Sequence, residues 1–94
     1  MAEWSIEIDS DPGATWNPDQ VEALRRELVT GGALAPACSH NTETGSVGAT
    51  FQVKGSFFDA MHIGQSIWIA SMPRAGMPPS IRHYEQRPND PAAA

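Results

Sequence analysis

Ten residues, Gly45 to Lys54, restrict the fold of this chain more than any other stretch. Val47, Ala49, Phe51 and Val53 are apolar, and Ser46, Gly48, Thr50, Gln52 and Lys54 are small or polar. Strict alternation of this kind specifies a strand with one face on a core and one face open. No proline interrupts it, so both of its backbone edges are free to pair in the middle of a sheet. Such a strand needs neighbours at its sides and helices over its apolar face.

The rest of the chain supplies them in order. Trp4, Ile6 and Ile8 alternate with Ser5, Glu7 and Asp9, predicting a second proline-free strand, and Asp9–Thr15 then carries loop chemistry. Asn17-Pro18 opens a helix, with Asn17 as N-cap, Pro18 in the first turn and Gln20 three residues after the cap. Trp16 is placed to pack on Val21, and Val21, Leu24 and Leu28 form the inward stripe, until Gly31-Gly32 ends the helix. Ala33 to Cys38 is a short strand marked by Pro36, followed by a polar hairpin loop over Ser39 to Glu43. Ser56, with Asp59 three residues on, opens a second helix predicted to run to about Met72. Pro73 to Pro79 reads as irregular, and Ser80 to Gln86 as a last strand between Pro79 and Pro88.

The element order is β-α-β-β-α-β. Two split βαβ units with right-handed crossovers give a four-stranded antiparallel sheet, ordered 4-1-3-2, with both helices on one face. Proline placement is an independent check. The two strands without proline are those the topology puts in the middle, and the two marked by proline are those it puts at the edges. In element order the chain resembles the ferredoxin-like fold, an α+β sandwich, over nearly its whole length. That fold hosts many activities, so the resemblance implies architecture and no particular chemistry. A single domain over residues 1–86 is expected, with residues 87–94 as a flexible tail.

Composition excludes several classes of partner. The net charge is −5, and seven of the eleven acidic residues precede residue 30. Six basic residues without a basic run are poorly suited to nucleic acid or to an anionic membrane surface, so neither is expected as a partner. One cysteine, Cys38, leaves no internal disulfide and fits a reducing compartment. The N-terminal residues have no basic flank and apolar core, and no apolar run reaches the ~20 residues needed to span a bilayer. A cytoplasmic protein is expected. Five arginines against one lysine, with abundant Ala, Gly and Pro, suggest a GC-rich bacterial or phage genome.

No catalytic or cofactor motif is present. Cys38, His40, His62 and His83 are metal-type residues, but two ligands on one strand with no third at a supporting spacing predict no metal site. Asp9-Ser-Asp-Pro-Gly lacks the later ligands of a calcium loop, and no glycine-rich phosphate loop occurs. Two surfaces remain. On the second helix, Ala60, Ile63, Gly64, Ile67 and Ser71 form the stripe suited to the sheet, leaving surplus hydrophobicity elsewhere. Phe58, Met61, His62, Trp68, Ile69 and Met72 are predicted to form a contact surface for a protein partner or a second copy, giving a small interaction or adaptor protein. The competing expectation for this flank is that Pro73–Pro79 and the first helix cover it as satellite core. The alternative site is the open sheet face, where Glu7, Arg82, His83 and Tyr84 would bind a small molecule or serve an enzymatic domain.

Overall fold

Strand β1 (Glu3–Asp9) lies between two antiparallel partners, β3 (Ser46–Lys54) and β4 (His83–Pro88). Strand β2 (Leu34–Asn41) pairs with the far side of β3, so the sheet order is β2-β3-β1-β4. Helices α1 (Pro18–Thr30) and α2 (Phe57–Arg74) pack on one face of it. This is the ferredoxin-like α+β sandwich, with the proline-free strands central and Pro36 and Pro88 on the edges. The structure, a computed structural model, describes residues 2–12 and 16–89. The end of the expected loop, residues 13–15, and residues 90–94 of the expected tail lie outside the described residues.

Local chemistry sets the helix starts. The Asn17 side chain accepts the Gln20 N–H at 2.8 Å, and the Gln20 side-chain carbonyl accepts the Asn17 N–H at 3.1 Å. This reciprocal box satisfies two donors that a helix N-terminus leaves unpaired. Ser56 caps α2 by accepting the Asp59 N–H at 3.2 Å. On the outer face of α1, Glu22 accepts a two-pronged contact from Arg25, the closest at 2.7 Å, and lies 3.7 Å from Arg26.

The apolar face of the sheet carries Ile6, Ile8, Val47, Ala49, Phe51 and Val53, all buried. Leu24 and Leu28 come down from α1, and Ala60, Ile67, Trp68 and Met72 from α2. Gly64 lets α2 settle onto the sheet, because a β-carbon there would run into the Ile6 side chain. All three indole N–H groups donate to loop carbonyls: Trp4 to Gly55, Trp16 to Gly45 and Trp68 to Ser80, at 2.8–3.0 Å. The aromatic rings that fill the core therefore also anchor the connections around it.

Several boundaries and faces differ from the sequence-based expectations. Trp68 and Met72 are fully buried, because the chain after α2 folds back over them. Ala75 and Met77 are buried there, the Ser80 carbonyl takes the Trp68 N–H, and the Ser80 N–H points to the Met72 sulfur at 3.5 Å. Neither residue belongs to an outer contact surface. The buried stripe of α2 is rotated toward them, and Ile63, placed on the sheet by its spacing, is 40% exposed. Helix α2 also continues two residues past Met72, with Pro73 in its last turn. Strand β2 extends to Asn41 beyond an irregularity between Leu34 and Ala37, where Ala35 has φ 49°. Strand β4 begins at His83, later than expected, and continues through Arg87 and Pro88. Asn89 is tied to Glu3 by its backbone N–H and its side chain, at 2.9 and 2.7 Å. Residues 87–89 are thus part of the sheet edge and not of a tail.

Candidate functional site

The register of β1 decides what the open face presents. Residues directly opposite one another on antiparallel strands project to the same side of the sheet. Glu7 stands opposite Thr50 on β3 and Glu85 on β4, Ser5 opposite Gln52 and Arg87, and Asp9 opposite Gly48 and His83. These residues share the face turned away from the helices.

The same register corrects half of the predicted small-molecule site. Tyr84 is opposite Ile8, on the helix-covered side. It packs against the core, and its hydroxyl pairs with the Gln86 side chain, which in turn donates to the Phe57 carbonyl at 3.0 Å. Desolvation pushes its phenol above the ordinary range. Arg82 precedes β4 and is held there by its backbone N–H on the Asp9 carbonyl at 2.8 Å. It does not reach Glu7 through the strand register. Glu7 and His83 do lie on the open face, and the structure adds Glu85 and Arg87 to them.

These four form the charged part of the site. One ligand-type atom from each of Glu7, His83 and Glu85 lies within 4.8 Å of the others. Arg87 pairs with Glu85 at 2.7 Å. That guanidinium holds the Glu85 carboxyl below its usual range, and Glu85 raises Arg87 in return. Both groups are well solvated, so the pair sets geometry more than stability.

Glu7 separates two hollows. One, of about 260 Å³, lies toward β2 and is lined by Glu7, Asp9, Ala37, Ser39, Gly48 and Thr50, among others. The second, of about 300 Å³, lies toward β4 and is lined by Ser5, Glu7, Thr50, Glu85 and Arg87 with Ile6 beneath. The first depends on Gly48: the Asp9 carboxylate occupies the space a β-carbon would take there, so it lies down across β3.

On the helix side, three of the six residues predicted to form the contact surface remain accessible. Phe58 is 72% exposed and Ile69 39%, His62 is exposed and Met61 half-buried. His62 and Ile69 line a groove of about 410 Å³ with Gln65, Ser66, Ala70 and Ile81. Phe57 stacks edge-on between Trp4 and Phe58, with centroids 5.3 and 5.4 Å apart.

Cys38 and His40 share a face, as their spacing requires, but it is the helix-covered face, opposite Ala49 and Val47. Burial pushes the Cys38 thiol up to about 11, so it stays protonated at neutral pH. The His40 Nε2 is buried without a hydrogen-bond partner among the described residues. Sequence reasoning missed Glu85 and Arg87. Their signal was the parity of β4, legible only once the strand is known to start at His83.

No protein-family model and no curated protein matches the chain. Among solved structures, the chain is similar to the crystal structure of a "putative Antibiotic biosynthesis monooxygenase" from Chloroflexus aurantiacus J-10-fl. The TM-score is 0.51 at 13% identity, covering 95% of this chain and 94% of that one. At that identity the likeness shows a shared fold.

Proposed function

We propose that this protein binds a small polar molecule on the open face of its sheet. The observation that carries the reading is the pair of hollows that meet at Glu7 and Thr50, so that side chains from all four strands line one trough. Its β4 end carries both signs of charge, through Glu7, Glu85 and Arg87, and its β2 end sets the Asp9 carboxylate beside the small residues Ala37, Ser39 and Gly48. The opposite faces of the two central strands are locked into the core and the edge strands are paired to them, so these groups are held at fixed spacing before any ligand arrives, which lowers the cost of binding. The Chloroflexus protein, named for antibiotic biosynthesis, shares this architecture. A thermal-shift panel of small polar metabolites, run with EDTA present, tests the reading. A compound that raises the melting temperature of the wild type but not of Glu7→Gln supports it. A panel without effect, or an effect that Glu7→Gln leaves unchanged, counts against it.

A second reading rests on Phe58, the most exposed of the large apolar residues among those described. With Ile69 and His62 it would dock a protein partner or a second copy on the outer flank of α2. Sedimentation of wild type and the Phe58→Glu/Ile69→Glu double variant tests it. A dimer lost in the double variant supports self-association, and a monodisperse monomer in both removes it.

A further inference from the structure

We propose that Glu7, His83 and Glu85 form a site for a divalent first-row transition metal ion such as Zn²⁺. The inference deepens the reading of the open face as the ligand-binding face. One imidazole nitrogen and two carboxylates are a donor set that such ions accept, and their affinities rise along the row to Cu²⁺ and fall back at Zn²⁺. Ligand atoms bound at about 2.0–2.2 Å to one ion lie about 3–4 Å from one another. The three side chains already bring their donor atoms within 4.8 Å, from two adjacent strands whose backbones are fixed by pairing. Small rotations of exposed side chains close the remaining distance.

Pairing across the strands gives the second observation. Glu7 and Glu85 are direct register partners, and like charges placed opposite one another oppose pairing. Arg87 pairs directly with Glu85 through Oε2, and the Glu7 charge acts on the same guanidinium. The register partner of His83 is Asp9, which would make an ordinary cross-strand ion pair. Instead the Asp9 carboxylate lies across Gly48 on the other side of β1. Among the described residues the imidazole has no carboxylate within the 4.0 Å of an ion pair, while Glu7 and Glu85 each bring an oxygen within 4.8 Å of it. One imidazole and two carboxylates gathered this closely on an exposed face are placed to share one ion.

Arg87 does not compete for the whole of Glu85. A carboxylate oxygen on a guanidinium leaves the second oxygen to coordinate, and such outer contacts orient metal ligands. Because the face is open, the ion would keep coordination positions for water or for an oxygen or nitrogen donor of a molecule lying in the trough.

The test is a calorimetric titration of the full chain with Zn²⁺, together with absorption spectra of the Co²⁺ form. One ion per chain is expected, with affinity falling about tenfold or more in each of Glu7→Gln and His83→Ala. His62→Ala, an exposed histidine on α2, should bind as the wild type does. All three variants should retain their metal-free melting temperature, since none alters the core. Absence of binding, or affinity that survives both Glu7→Gln and His83→Ala, overturns the proposal. Failure here is distinct from failure of the ligand reading, because the metabolite panel is run in EDTA.

Discussion

The two faces of the sheet are built from the same strands and answer to different constraints. On the covered face, Ile6, Ile8, Val47, Phe51 and Val53 are each at most 4% exposed, and all belong to one core cluster with residues of both helices. On the open face, Glu7, Glu85, Asp9 and His83 sit at equivalent register positions with no layer over them. Burial explains each residue of the first face. It explains none of the second, where opposed carboxylates work slightly against the pairing that carries them. The residues that the fold does not need are the ones proposed to bind a ligand.

The largest test of this contrast is in the core. Trp68→Ala removes a fully buried ring and leaves the Ser80 carbonyl without its donor, and should cost about 3–5 kcal/mol in urea unfolding. Phe58→Ala, one of the exposed aromatic residues of the same helix, should cost far less. Equal losses would break the assignment of Trp68 to the core.

Cys38 sharpens the contrast through pH. Its thiol binds its proton more tightly in the fold, released at about 11, than the ordinary value of 9.0. The raised value means that the contribution is complete below about pH 9 and is lost as pH rises toward 11. Tyr84, also raised by burial, acts in the same direction near the upper end. Stability should therefore fall across this interval, less steeply in Cys38→Ser, and labelling of Cys38 by a thiol reagent should be slow at neutral pH. Fast labelling would place Cys38 outside the core.

Helix capping comes next in size. Asn17→Ala breaks both bonds of the box that starts α1 and should cost about 1 kcal/mol. The smallest effect belongs to the open face. Glu7→Gln should change unfolding free energy by no more than about 0.5 kcal/mol. The direction should be slightly favourable, since a carboxylate facing Glu85 is removed. A large loss would mean that Glu7 serves the fold.

Most of the architecture was legible in the sequence because alternation and proline placement act locally. Val47, Ala49, Phe51 and Val53 state their face by spacing alone, and Pro36 and Pro88 mark the edges. The sites were less legible, for two physical reasons. The 3.6-residue period separates the sides of α2 but does not say which segment covers each, so Trp68 and Met72 were assigned to the surface that residues 75–80 in fact close. In a strand, a difference in where pairing begins exchanges faces outright. Pairing that starts at His83 sends Tyr84 to the helices and brings Glu85 and Arg87 to Glu7. No local pattern announces that start.

The central claim is that the open face, and not the outer flank of α2, is where this protein meets its ligand. Amide chemical-shift mapping by NMR tests it most directly, using Zn²⁺ and then the compound that most raises the melting temperature. The account predicts shifts confined to residues 5–9, 46–52 and 83–87. Shifts centred on Phe58, His62 and Ile69, or none with either probe, would contradict it.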